Sequence, residues 1–464
     1  MSTFSGLNAA TTSLWAQRRA LDVTGQNIAN VNTEGYSRQR ADMQAIGGSV
    51  VPAFYSTSSG IGAGVSADEV TRIRDAFLEG RGHTEHANNA RLTVEADAYE
   101  VVEQAFREPG DTGIQSLMSD MWKGWGDVAN APGNDAARGQ VIKRLESLVG
   151  GINFSAGSLD AQWTQTRDNL EVLVSDVNAA ASTIADLNAA IQRANQSGQT
   201  ANDLSDRRDL LVMKLADQVG ATVRPGNFGA VDVVVGGMTL VSGSTATSFA
   251  VAGTLDPDLV STDPPKIVTA AGGYPVQAGG TAEGQLNSLN AILPTYRKAL
   301  DDVAADLASS LNAAHAAGFD RAGNPGGPLL GSSGGAITAA SLRVTISQPG
   351  DIAASAVGGG VLDNGNAQKL AALGTSTTGT DADYRKMIVE LGVQSAVASR
   401  NLGIQSVIST QVDAARDSVA GVNIDEEMTN MLSFQHAYNA AGRLVTAIDE
   451  MLDQLINRTG QVGR

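Results

Sequence analysis

No cysteine occurs in the 464 residues, which excludes disulfides, thiolate nucleophiles, iron–sulfur clusters and Cys-ligated zinc. Histidine is sparse, at four in the whole chain, and leaves little for metal ligation or general-base work. Aromatic residues make up only 4% while glycine numbers 52, a balance that favours slender packed helices and thin sheets over one bulky core. There is no run of about 18 consecutive apolar residues, so no membrane-spanning helix is expected. Basic residues are outnumbered, 32 against 49 acidic, for a net charge of -17. A polyanion without a basic block is repelled by phosphate backbones and anionic bilayers, so neither nucleic acid nor membrane is an expected partner. The N-terminal segment has no basic leader followed by an apolar block and a small-residue cleavage site. No secretory signal peptide is expected, and export would use another route. The length admits two to four domains, whose expected partners are other protein surfaces.

What is present is helical periodicity. Leu7, Leu14, Leu21 and Ile28 repeat every seven residues, with Phe4, Ala10 and Val31 beside them. The period returns at the other end, with Met431, Tyr438, Val445 and Leu452 in one row and Phe434, Ala441, Ile448 and Leu455 in a second. Both stripes are seams for another helix. The period alone admits either pairing of the two ends or burial of each against a globular body. The strongest repeat lies between them, with Trp163, Leu170, Val177, Ile184 and Ile191 in one row and Leu173, Ala180, Leu187 and Ala194 in the other. Leu145, Ile152 and Leu159 join it through a four-residue step.

Residues 35–74 break into Gly, Ser and short β-prone pieces, at 49–51 and 64–65, and read as an extended, partly stranded connector. Helical signals fill 84–106 and 114–125. After a helix over 204–219 the period switches to two, and Val231–Val235 and Met238–Val241 read as a hairpin turning at Gly236-Gly237, within a β unit of about 220–280. A helix from 282 to 317 is expected to kink at Pro294. Residues 318–365 are expected to be loop-rich and poorly packed apart from a strand at 342–346, and a helix over 383–419 leads into the C-terminal repeat. The expected fold is mainly α with a smaller β part. Its divisions are 1–34 with 423–464 as a terminal helical pair, 35–74 as connector, and 75–422 as a helix-rich rod.

Candidate chemistry is thin. Gly331-Ser-Ser-Gly-Gly has the spacing of a nucleophile elbow around Ser333, but no strand feeds it, and His436 belongs to a seam helix. His83 and His86 stand one turn apart, an incomplete metal pair, and read as a solvated helix start. Gly60-Ile-Gly-Ala-Gly lacks the last glycine of a dinucleotide fingerprint. Asp425-Glu426-Glu427 reads as first-turn charge set against the helix dipole. No catalytic, cofactor or metal residue is assigned.

The ends carry a more specific signal. Asn27, Asn30 and Asn32 in Gln26–Thr33, then Gly35, Tyr36, Ser37, Arg38 and Gln39, resemble the N-terminal signature of flagellar axial proteins. The Gly-Tyr-Ser-Arg-Gln continuation is similar to that of the hook-associated protein 1 family, FlgK. Gly421–Glu427 and Phe434–Tyr438 resemble that family's C-terminal motif, with Ile424 where Leu is commoner. Asn202–Asp209 and Gly229–Val241 also resemble its segments. The resemblance implies an exported structural adaptor at the hook–filament junction, with a ring of copies, the hook protein, a second junction protein and a cytoplasmic export chaperone as partners. It also implies terminal coiled-coil helices, a long helical rod with inserted β-hairpins, and type III export to the extracellular flagellum. The outer β-domain that members often insert after His315–Asp320 is expected to be reduced or absent. The alternatives are a hook or distal-rod protein and, from another class, a secreted adhesin or hydrolase on a flagellar scaffold.

Overall fold

The computed structural model describes residues 3–47, 62–358 and 360–458. The side chain of Phe4, the expected strand at 49–51 and the start of the glycine run at Gly60 lie outside it. Helices dominate, and the described strands form small antiparallel sheets of two or four strands.

The two ends of the chain pair. α1 (Thr3–Ala29) lies against α10 (Ile424–Asp453). Gly6 stands so close to Ile448 that a Cβ there would be 3.4 Å from its Cδ1, and Asn27 hydrogen-bonds Glu427 at 3.0 Å. The same interval is climbed on one helix and descended on the other, so the pair is antiparallel and in step. Small residues hold the contact, with Ala10, Ala16, Ala20 and Val23 of α1 and Ala441 and Ile448 of α10 buried. Leu7, Leu14, Leu21 and Ile28 flank it half-buried, as do Met431, Phe434, Val445 and Leu452. Tyr438 and Leu455, expected in the seam, are 39% and 54% exposed. Leu455 stands past the level of Gly6, and Tyr438 points off the contact row that runs through Glu427, Phe434, Ala441 and Ile448.

The connector forms a hairpin, β1 (Gln39–Ile46) with β2 (Gly64–Arg72), lying along α1. The body follows. α2 (Ala76–Phe106) begins eight residues before the expected 84 because Asp75 caps it, its carboxylate accepting from the amides of Phe77 and Leu78. Next come α3 (Ile114–Asn130) and α4 (Asp135–Gln196), a single helix of 62 residues, about 90 Å long at 1.5 Å per residue. The row from Leu145 through Trp163 to Ile191 is buried throughout. Its companion row is not the expected Leu173, Ala180, Leu187 and Ala194, which are only half-buried, but Arg167, Val174, Ala181 and Asn188. Two polar members disguise that row. Asn188 is fully buried, donating to the carbonyls of Val231 and Gly243 at 2.8 and 2.7 Å and accepting from the Val231 amide at 3.2 Å. It thereby pins the β region to the rod.

α5 (Asn202–Val219) precedes a four-stranded sheet of β3 (Thr222–Pro225), β4 (Val231–Val235), β5 (Met238–Ser242) and β6 (Thr245–Ala246), in which β4 and β5 form the expected hairpin. β7 (Phe249–Ala252) pairs with β8 (Lys266–Thr269). α6 (Gly280–Asn287) and α7 (Leu293–Ala316) are joined by a π turn over Ser288–Ile292. Pro294 has no amide to return to the preceding turn, so the helix widens there. The Leu289 carbonyl in that turn accepts from the buried Trp163 indole at 3.1 Å.

The glycine-rich stretch is better packed than expected. It holds β9 (Leu330–Ser332) and β10 (Leu342–Val344), and Leu329, Ile352, Ala353 and Ala354 are fully buried. α7 organises it. Asn312 accepts from the amides of Leu329 and Leu330 and donates to the Leu330 carbonyl. His315 bonds the Gly327 carbonyl through Nδ1 at 2.6 Å, and the Ala353 amide donates to its Nε2 at 2.8 Å. Those partners fix the neutral tautomer, proton on Nδ1, and burial holds its pKa below the usual value. Between Phe319 and Ile346 the chain makes only this short ribbon, so no outer β-domain intervenes. α8 (Gly365–Leu373) and α9 (Thr380–Ala420) complete the body.

Candidate functional site at the joint between paired termini and body

The motif residues meet where the terminal pair joins the body. α1 ends in a turn at Asn30–Tyr36, which Gly35 closes at φ +77, a conformation L residues rarely adopt, with Leu210 packed against it. Asn30 bonds the Gln26 carbonyl and the Thr33 hydroxyl within this turn, and Asn32 is exposed. The turn delivers Tyr36, Ser37, Arg38 and Gln39 beside Asn27.

Asn27, 1% exposed, uses its whole amide. Nδ2 donates to the Gln39 carbonyl at 2.9 Å and to Glu427 at 3.0 Å, while Oδ1 accepts from the Tyr36 hydroxyl at 2.8 Å and the Gln39 amide at 3.0 Å. Glu427, 2% exposed, takes Arg38 on its other oxygen at 2.8 Å from Nε and 2.7 Å from Nη2, and Arg38 also reaches Glu426 at 2.8 Å. The buried carboxylate is therefore both charge-paired and hydrogen-bonded. Burial, with Asp206, Asp203 and Glu427 nearby, pushes the Tyr36 hydroxyl up to about 12. The first turn of α10 thus does more than face a dipole. Asn423 caps it, and Glu427 ties both termini to the connector.

The network continues into the body. The Ser37 amide donates to Asp206, Arg72 bridges Asp206 and Asp209 at 2.8 and 2.9 Å, and Arg74 pairs with Asp209 and with Glu79. Glu79 also holds Arg416 at 3.0 Å, and Arg416 reaches Asp413. His86 closes the ladder between Asp217 of α5 and Asp413 of α9, at 3.1 and 3.0 Å. Hydrogen bonding to Asp217 and then to Asp413, against the opposing effect of burial, raises its pKa to about 9. His83, 5% exposed, is held below the usual value chiefly by burial. The reading of His83 and His86 as a solvated helix start is corrected: with α2 beginning at Ala76 they lie inside the helix, one buried and one clamping three helices.

Sequence reasoning read Glu427 only as first-turn charge and a motif letter and Asp206 and Asp209 only as motif letters, and it gave Arg416 no role. The available signal was carboxylate and guanidinium residues on otherwise inward faces, such as Asp206 and Arg208 beside Val212. Ser333 lies in the turn joining β9 to β10, its amide bonded to the Ser341 carbonyl, and His436 is exposed on α10. Among the described residues no group of three His, Asp or Glu side chains could hold a metal ion, and no helix is long and apolar enough to cross a membrane.

The paired termini and the long helical body they are locked to are the parts of the chain that match families of flagellar axial proteins. Residues 7–36 match the flagella basal body rod protein family, 417–458 the C-terminal family of the basal body rod FlgEFG proteins, and 99–330 the helical domain of hook-associated protein FlgK. Flagellar hook-associated protein 1 of Bacillus subtilis is 30% identical, with both chains covered in full, and that of Escherichia coli is 24% identical with 98% of each covered. The flagellar hook junction protein FlgK of Burkholderia pseudomallei has the same fold, at a TM-score of 0.63 and 16% identity, over 74% of this chain and all of that one. The chain belongs to the flagellar hook-associated protein 1 family. It is a structural component of the bacterial flagellum, the adaptor at the hook–filament junction.

Proposed function

We propose that the protein is a mechanical adaptor with no catalytic step, joining hook to filament through its paired termini while the body sets the spacing outward. The observation that carries this reading is the lock of Asn27, Arg38 and Glu427, which ties the terminal pair to the connector, continued by the bonds of Ser37 and Arg72 to Asp206 and Asp209, which tie the connector to the body. The terminal pair (1–34 with 423–464), the connector (35–74) and the rod (75–422) are its working divisions. Copies form a ring, meeting the hook protein on one side and a second junction protein on the other. The half-exposed residues beside the α1–α10 seam supply those contacts. The same apolar face needs cover before assembly, which a small cytoplasmic export chaperone supplies, and the type III flagellar apparatus then carries the chain out.

Deletion tests the proposal. Cells without the protein are expected to build hooks and shed flagellin into the medium, because the filament lacks a surface on which to nucleate. Filaments still attached to the hooks of such cells would overturn it.

A further inference from the structure

Helix α9 is apolar on two opposite sides. Tyr384, Met387, Leu391, Ala398 and Val412 are buried against the body, while Val389, Val393, Val397, Ile404 and Val407 form a row on the other side, between 40% and 66% exposed. Apolar residues all round a helix call for cover all round. Lys386 and Arg400 stand within the row, exposed and pairing with no carboxylate among the described residues, and Glu390 lies at its margin. From Val389 to Val407 the row is about 27 Å long at helical rise. It begins at a cleft of about 470 Å³ between α2, α9 and the turn at Glu108-Pro109, walled by Phe106, Pro109, Tyr384, Ile388, Val389 and Leu391.

The opposite face of the body carries the complement. α9 packs on α2 and α7, and α4 packs on the same two helices, so the four stand at successive corners with α4 across from α9. The cleft lies on the α2–α9 side. On the α4–α7 side lies the loop of residues 253–265 between β7 and β8, fastened by Arg297 of α7, which bonds Asp160 of α4 at 2.5 Å and Asp258 of the loop at 2.7 Å. The loop presents Leu255 and Leu259, 75% and 51% exposed, among three aspartates and no basic residue. The heights agree. Ser155 of α4 bonds the Ala105 carbonyl next to the cleft and Asp160 stands under the loop, about 8 Å apart along α4. Tyr384 bonds Glu108 and Gln405 bonds Glu85, so α9 runs antiparallel to α2 and in the same direction as α4. The β7–β8 unit, held at Asp160 and again where Asn178 accepts from the Phe249 amide, therefore covers the same stretch of the rod as the row, about 27 Å.

From this geometry we infer that the 253–265 loop of one copy seats Leu255 and Leu259 in the α2–α9 cleft of the next, with the β7–β8 unit lying along the α9 row, an inference that rests on the ring reading above. Within one chain the two surfaces face opposite ways and cannot meet. Between copies standing side by side and the same way up they form a heterologous contact, the kind that closes rings. Charge selects this occupant. In a chain of net charge -17 the row offers two unpaired cations, and the loop answers with carboxylates. Asp258 is held by Arg297 and Asp263 by Lys266, while Asp256 has no cationic partner among the described residues. Opposite charge draws the loop to the row and turns more basic surfaces of the neighbour away from it.

Because the chain has no cysteine, introduced thiols test the contact without background. Leu255→Cys and Val389→Cys, both at exposed positions, are combined in the full chain in motile cells, and isolated hook–filament junctions are mildly oxidised. A ladder of disulfide-linked multimers is expected from the double variant and none from either single one. No ladder from assembled junctions of the double variant would overturn the inference. Counting copies per junction by quantitative mass spectrometry separates the two readings: several copies without the ladder sink this contact alone, and a single copy sinks the ring itself. Charge supplies a second arm. Lys386→Glu reverses an exposed cation, and Asp256→Asn removes the free carboxylate while keeping an acceptor for the Asp258 amide. Both isolated variants should melt like the parent. Junctions with Lys386→Glu should retain several-fold less filament, with a smaller loss in Asp256→Asn, and unaltered retention in both would count against the contact.

Discussion

Asn27 and Glu427, 400 positions apart in sequence, share a 3.0 Å hydrogen bond that is buried on both sides. It joins the end of one terminal helix to the start of the other, at the point where the connector leaves for the body. Asn27→Asp sets a carboxylate against a carboxylate and removes the donor to the Gln39 carbonyl, a loss of about 2–4 kcal/mol for a broken buried network. The expected result is faster proteolysis within 3–29 and 424–453 of the isolated protein while the body resists. Glu427→Gln, which keeps an acceptor for Asn27 but loses the charge for Arg38, should be milder. Equal protection in Asn27→Asp and the parent would refute the role given to this pair.

Asn188 is the corresponding fastener within the body. Its amide serves the main chain of Val231 and Gly243, so Asn188→Ala leaves those buried groups unpaired and opens a small void. About 2–3 kcal/mol of stability should go, read as a lower midpoint in urea. Asn188→Asp should be no better than alanine, because a carboxylate accepts from the Val231 amide yet cannot donate to either carbonyl. A parental midpoint in both variants would show that the β region is held to the rod by other contacts.

His86 makes the body's stability depend on pH. Its folded pKa, about 9, lies above the ordinary imidazole value of 6.5. The protonated ring is therefore what the fold favours, and its contribution is complete below pH 6.5 and lost as pH rises toward and through 9. His83, held low by burial, has the opposite sign and costs stability when pH falls below the ordinary value. Melting the parent and His86→Gln between about pH 6 and 10 should show a gap that closes on the alkaline side. A gap constant across that range would remove His86 from the account.

Much of the fold was legible because helices here advertise themselves. The α4 row from Leu145 to Ile191 and the turn at Gly236-Gly237 stand where periodicity placed them. The second α4 row was misread because its members at 167 and 188 are Arg and Asn, and a pattern search counts polar residues as outside. The joint was hidden for the same reason. Asn27, Arg38 and Glu427 could be recognised as motif letters, but their bonding depends on bringing position 27 beside 427, which no local pattern states. The glycine-rich stretch failed differently, since its order comes from Asn312 and His315 on α7.

The seam itself separates folding from assembly. Ile448 is 5% exposed and packs on Gly6, whereas Leu432 on the same helix is 55% exposed and faces outward. An aspartate at 448 puts an unpaired charge into the contact, at a cost of several kcal/mol in order of magnitude. Ile448→Asp should therefore lower the helicity of the isolated chain by circular dichroism and abolish filament retention as a consequence. Leu432→Asp leaves the monomer's helicity and melting unchanged, because that side chain already meets water, yet should lose retention if the outward row is the assembly face. Val445→Asp, half-buried beside the seam, should weaken both chaperone capture in pull-downs and retention. Normal retention in Leu432→Asp, with the protein exported at parental levels, would move the assembly contacts off α10 altogether.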